Sequence, residues 1–255
     1  MAKLQPISNI TFSQNLLQPW GKTWLDTVSS TVGKAKNANC FDRKQAMDFG
    51  KALDPIVGDA IAQMLGGIPV KAPLSQNALL PPVADCVEVG DTRIIGGVRP
   101  QNFDMAYRPD GVRIAYDSKT LNDAKSIKKN WQNMINDIAA EATTLHTRFR
   151  YALALFLVVI PEQALNDSQA EGIIHTLERM NERFGVDEEN HKAESIALVV
   201  WDAVTGRISN TIPDINSSLR IEKYAQRIEE VYTSRYKGLP LSLIHISEPT
   251  RHAQI

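Results

Sequence analysis

Two acids and a lysine stand close enough along the chain to act on the same chemistry. They are Asp104 and, thirteen residues further on, the triplet Asp117-Ser118-Lys119. If the triplet ends a strand, period-two alternation puts Arg113, Ala115, Asp117 and Lys119 on one face and Val112, Ile114 and Tyr116 on the other. Arg108-Pro109-Asp110-Gly111 reads as a turn, since Pro presets φ and Gly accepts a positive one. Residues 102–107 and 112–119 are therefore expected to form a hairpin. With Arg108 and Gly111 as partners across the turn, Asp104 falls opposite Ala115 and becomes a diagonal neighbour of Asp117, roughly 7–8 Å away by Cα. Two carboxylates at that separation can converge on one cation. Hydrolysis of a phosphodiester needs charge relief on the phosphoryl oxygens and a water made nucleophilic. Mg²⁺, with Mn²⁺ as a substitute, supplies both when held by hard oxygens, here Asp104, Asp117 and the backbone carbonyl of Ser118. Lys119 would hold or deprotonate the water and stabilise the developing charge.

The elements that must position these residues follow from periodicity. Residues 45–65 place Met47, Leu53, Ile56, Val57, Ile61 and Met64 at helical spacings, and Gly66-Gly67 stops the run. Pro69, Pro73, Pro81 and Pro82 mark a loop. Short extended runs at 87–89 and 92–95 precede a turn at Gly96-Gly97. After the hairpin, residues 121–146 read as a long helix, with Asn122 or Thr120 available to cap it. Residues 151–160 form a continuous apolar run, as expected of a central strand buried on both faces. A helix over 168–184, a buried strand over 195–202 and a helix over 219–236 complete the series. Strands alternating with helices after a hairpin imply an α/β or α+β fold, a mixed central sheet with flanking helices. The organisation expected is a helical N-terminal region over 1–80 and a catalytic core over 81–240.

Asp104 followed by Asp117-Ser118-Lys119, then a helix and a buried strand, resembles the core of the PD-(D/E)XK nucleases, its type II restriction branch above all. The likeness spans about residues 84–202. It implies a restriction-endonuclease-like fold, Mg²⁺-dependent endonuclease activity on duplex DNA, catalytic Asp104, Asp117 and Lys119, and a homodimer so that both strands are cut. A structure-specific nuclease of the same superfamily, or a DNA-binding module without activity, would share the pattern. Phe103 stands where the family has Pro before the first acid, although Pro100 lies just upstream. Many members add an acid from an N-terminal helix, for which Asp54, Asp59 and Glu88 are candidates that spacing does not separate.

Lys125, Lys128 and Lys129, with Asn130, Gln132 and Asn133, suit phosphate and base-edge contacts at the start of the helix after the site. With 28 Lys and Arg against 29 Asp and Glu, DNA contact must come from such local patches rather than from overall charge. Trp20, Trp24, Trp131 and Trp201 lie outside basic, glycine-rich runs and read as core or interface fillers. His146, His175 and His191 lack partners at metal or triad spacing, and no phosphate loop or Gly-x-Ser-x-Gly elbow occurs, so nucleotide-hydrolase and serine-hydrolase readings are poor; no organic cofactor is expected. Cys40 and Cys86, far apart, fit a reducing cytoplasm better than a disulfide framework. The longest apolar run is too short to span a bilayer. Residues 241–251 (LSLIHISEPTR) resemble the conceptual translation of a sequencing adapter, so 241–255 are expected to be an artefactual tail that does not pack on the core.

Overall fold

Asp42 opens the second helix with a reciprocal cap: its carboxylate accepts from the Gln45 amide while the Gln45 side chain accepts from the Asp42 amide. That helix is α2 (Arg43–Met64), preceded by α1 (Gln14–Leu25), in a computed structural model that describes residues 4–237. Gly66 and Gly67 end it at φ of 94° and 77°, backbone that side-chain-bearing residues rarely adopt. The expected tail at 241–255 lies outside the described residues.

There follow β1 (Val70–Lys71), β2 (Val87–Ile95), β3 (Pro100–Tyr107), β4 (Ile114–Thr120), α3 (Ile127–Arg148), β5 (Leu153–Pro161), α4 (Asp167–Met180), β6 (Ser195–Trp201) and α5 (Ile221–Tyr236). The six strands make one mixed sheet in chain order. β2, β3 and β4 pair antiparallel, β4, β5 and β6 pair parallel, and β1 lies parallel to β2. The two runs read at 87–89 and 92–95 are one strand interrupted by a bulge at Gly90, where φ is 125°. The architecture is α/β, a mixed sheet with flanking helices.

α2 lies on β2, β3 and β4, α3 on β5, and α5 on β5 and β6. Tyr116 bonds to α2 whereas Lys119 bonds to α3. Residues of opposite parity on one strand point to opposite faces, so α2 and α3 cover different sides of the sheet. Both faces being covered explains why every residue of β5 and of β6 is buried. β5 is nonetheless next to last in the sheet rather than central. The edge beyond it is closed by the chain itself. Trp201 bridges to Ile208, the Ser209 amide donates to Val200 O at 2.7 Å, and the Leu198 amide donates to Leu219 O at 2.9 Å.

Leu17 and Trp24 of α1 and Phe49, Leu53, Val57 and Ile61 of α2 belong to the same apolar core as β5 and β6. Trp20, Phe41, Phe49 and Trp201 stack edge-on or tilted at centroid separations of 5.3–5.7 Å. Trp24 is fully buried and donates its indole N–H to Asn122 O at 2.7 Å. The tryptophans therefore serve packing, as their sequence context suggested, and residues on both sides of position 80 share one core.

Two expectations are corrected by the structure. α3 starts at Ile127, six residues later than its sequence pattern suggested; Asn122 donates to Thr120 Oγ1 within the preceding loop, and no side chain caps the helix. His146 does have a carboxylate partner, brought to it from the loop just ahead of β6: its Nε2 sits 3.0 Å from Glu194 Oε2 and its Nδ1 2.9 Å from Asn190 O. Glu194 also accepts from Arg183, Arg235 and the Ala154 amide. Burial alone would raise that carboxyl, but His146, Arg235 and the amide hold it below the usual range. This buried cluster ties α3, β5, β6 and α5 together.

Candidate active site

The hairpin forms, in a register different from the one that ideal turn pairing predicts. Met105 pairs with Tyr116, Ala106 with Ala115 and Tyr107 with Ile114, which by continuation puts Asp104 directly opposite Asp117 rather than Ala115. The turn is longer than the sequence suggested, spanning residues 108–113. Opposed carboxylates are closer than diagonal ones. Asp104 and Asp117 interact directly, a contact that favours the protonated form of Asp104 and the ionised form of Asp117.

α2 brings a third acid. Gly50, Asp54 and Gly58 follow one another at four-residue spacing and so share one face of the helix. A Cβ on Gly50 would stand 3.2 Å from Ser118 Oγ, and one on Gly58 would stand 2.4 Å from Val89 Cγ2. The absent side chains let α2 press onto the sheet and carry Asp54 to the hairpin. Tyr116 donates its hydroxyl to Asp54 Oδ1 at 3.2 Å. Of the three N-terminal acids that spacing left open, Asp54 joins the site. Asp59 is exposed on the helix surface, and Glu88 is consumed in a buried ion pair with Arg108.

Asp54, Asp104, Asp117, Ser118 and Lys119 line one cleft of about 360 Å³, together with Gly50, Lys51, Asp91 and Thr120. Asp104 Oδ2 accepts from both the amide (2.9 Å) and the hydroxyl (2.8 Å) of Ser118. Ser118 thus meets the acids through its N–H and hydroxyl, whereas the sequence reading gave that role to its carbonyl. Lys119 donates to Asp117 Oδ2 and, across to α3, to Glu141 Oε1 at 2.8 Å. Glu141 was not among the residues suggested by sequence.

The electrostatics are unusual for carboxylates. Burial, and then the negative charge of Asp104, push Asp54 up to about 8. Burial and the charge of Asp117 push Asp104 up to about 7. Burial also pushes Asp117 up to about 7 in spite of the Lys119 ammonium, with Glu141 adding to the rise. Burial alone would lower Lys119, but Asp117 and Glu141 more than offset it and hold the ammonium well above its ordinary value. Lys119 is therefore a charged group and not a ready base.

Among the described residues, no group of three or more His, Cys, Asp and Glu side chains is arranged to hold a metal ion. One oxygen of each acid already accepts a protein donor: Asp54 Oδ1 from Tyr116, Asp104 Oδ2 from Ser118 and Asp117 Oδ2 from Lys119. In kind, however, the donors suit Mg²⁺: hard oxygens, desolvated, whose mutual repulsion a proton or a cation relieves.

The six residues read as DNA contacts are all exposed. Lys128, Lys129, Asn130, Gln132 and Asn133 lie in the first two turns of α3, while Lys125 precedes the helix and donates to Asn37 Oδ1 at 3.2 Å. Asn130 lines a second depression between the starts of α2 and α3, which shares Ala46 and Thr120 with the acid cleft. No described helix is long and apolar enough to cross a membrane. Comparison of the chain with family models, with curated proteins and with solved structures finds no match.

Proposed function

We propose that this chain is a metal-dependent DNA endonuclease of the PD-(D/E)XK type, acting on duplex DNA at specific sites as restriction enzymes do. One observation carries the reading: three carboxyls from three elements, Asp54 and Asp117 buried and Asp104 half-buried, meet a charged lysine in one cleft at the end of a rigid hairpin. Acids held so close that they retain protons near neutrality are poised for a divalent cation, and perturbed titration in a cleft marks functional sites. Asp104 and Asp117, with Asp54 beside them, would hold Mg²⁺ or Mn²⁺, which when bound supplies charge relief on the phosphoryl oxygens and a more acidic water.

The chain's own groups do the rest. Ser118 fixes the rotamer of Asp104 through two hydrogen bonds. The Lys119 ammonium stabilises charge developing on the phosphate, a role for a preorganised cation in a site shielded from water. Lys128 and Lys129, exposed in the first turn of α3, would meet backbone phosphates, and Asn130 would make a contact nearer the cleft. Two such sites related by a two-fold axis would cut both strands, which makes a homodimer the simplest assembly.

The test is incubation with mixed genomic DNA and Mg²⁺, followed by sequencing of the ends. Cuts at a fixed sequence, abolished by EDTA and not supported by Ca²⁺, are expected, because Ca²⁺ coordinates more loosely and misplaces the water. Cutting confined to branched DNA would make the chain a structure-specific nuclease instead. Binding without cutting under Mg²⁺ and Mn²⁺ would sink the catalytic reading.

A further inference from the structure

Lys119 is held from two sides. Its ammonium bonds Asp117 Oδ2 on its own strand and Glu141 Oε1 on α3, with its side chain only 16% exposed. Glu141 sits in the buried stripe of α3 with Ile138, Ala142 and Leu145, so that helix fixes where its carboxylate points. Its Oε1 accepts a second bond, from Gln101 Nε2 at 3.1 Å, while its Oε2 is buried without a partner. A buried carboxylate oxygen lacking a donor is costly, and each such atom calls for an explanation. The nearby ammonium, at present shared with Asp117, is the group that could satisfy it.

We propose that Lys119 is the resident counter-ion of Asp117 and passes wholly to the Glu141 carboxylate when a divalent cation is bound at the acid cluster, with Glu141 as the positioning residue that receives it. The inference rests on the hydrolytic reading of this site and adds its regulation. An ammonium and a divalent ion cannot both sit against Asp117 Oδ2 without strong repulsion in a desolvated cleft. Lys119 needs only a side-chain rotation to leave, because Glu141 already holds it and Oε2 is open. The Lys119 ammonium thus neutralises Asp117, and an incoming cation must outcompete a lysine. Because Lys119 stays tethered to α3, it remains beside the cleft for the phosphate rather than turning out to solvent.

The experiment is calorimetric titration of Mn²⁺, without DNA, into the full chain and into Lys119→Met, Glu141→Gln and the double variant. Thermal unfolding of each would separate loss of binding from loss of fold. Glu141→Asp, which keeps the charge on a shorter arm, serves as a second probe. Residues that orient metal ligands typically change affinity by about 10–100-fold, and effects of about tenfold are expected here. Lys119→Met should bind Mn²⁺ more tightly than the wild type, Glu141→Gln more weakly, and Glu141→Asp in between. In the Lys119→Met background, Glu141→Gln should have no effect. Unchanged or weaker binding by Lys119→Met, or an equal effect of Glu141→Gln with and without Lys119, would overturn the exchange. So would the absence of Mn²⁺ binding in both the wild type and Lys119→Met. Exchange observed in a chain that cuts no DNA would instead leave this inference standing and remove the nuclease reading.

Discussion

Asp104 turns a single oxygen, Oδ2, onto both the amide and the hydroxyl of Ser118, at 2.9 and 2.8 Å. An amide oxygen can accept the same two bonds, so Asp104→Asn should keep the fold while removing the charge. Asp104→Asn and Asp117→Asn should each lower cleavage at least about 100-fold, the scale of losing one preorganised electrostatic group. Asp54→Asn should cost about 10–100-fold. DNA affinity, dominated by phosphate contacts elsewhere, should hardly change. Plasmid cleavage alongside fluorescence anisotropy checks this; wild-type activity in Asp117→Asn would remove the site from the mechanism.

The same three acids set a pH dependence of stability. Unfolded carboxyls release their protons near pH ~4, whereas in the fold Asp104 and Asp117 keep theirs to about 7 and Asp54 to about 8. A raised folded value means that the folded state binds more protons between those limits. The stability contribution is therefore complete below the unfolded value and is lost as pH rises through 7 and 8. Asp54→Asn should flatten the decline by up to about 1.4 kcal/mol per pH unit in that window, one proton's worth. Chemical denaturation in EDTA from pH 5 to 9 measures it, and identical slopes for wild type and Asp54→Asn would contradict the assignment.

Replacing Lys125, Lys128 and Lys129 together with Gln should weaken DNA binding and reduce the log–log salt slope by roughly one unit per lost phosphate contact. Because Lys125 lies ahead of α3 and bonds Asn37, the largest share should come from Lys128 and Lys129. A slope unchanged in the triple variant would mean that this surface does not meet DNA.

Gly21 tests how firmly the first helix belongs to the core. A Cβ there would lie 1.8 Å from the carbonyl oxygen of Ala203, just beyond β6. Backbone on the other side of the contact cannot give way as a side-chain tip can, so Gly21→Ala should destabilise the protein by about 3 kcal/mol. A denaturant midpoint within error of wild type would show that α1 docks loosely.

Much of the fold was legible because its elements are strongly periodic: α2, β5, α4, β6 and α5 all lie close to where apolar spacing put them. The hairpin was legible from its turn residues but its register was not, since a two-residue turn was assumed where the chain uses six residues. Asp54, which spacing offered only as one of three candidates, and Glu141, which it did not offer, illustrate what the sequence left unsettled. Each is an acid set within an apolar stripe, Asp54 beside Leu53 and Val57, Glu141 between Ile138 and Leu145. An ionisable residue on a buried helix face is the signal that singles them out. Their convergence on β3 and β4 depends on tertiary packing that periodicity does not report.

The chain laid along β6 has a consequence for how this protein behaves when concentrated. Backbone groups of that strand already bond to residues 208–219, so they offer no template for a strand from another molecule. At the opposite end β1 is only two residues long, and β2 is kinked at Gly90 and flanked by Gln76 and Asn77, which bond Asp91 and Arg93. A sheet protected at both margins resists runaway stacking into fibrils. Among the described residues, contact between copies is then left to side chains of helices and loops, surfaces that can vary without exposing the β-rich interior.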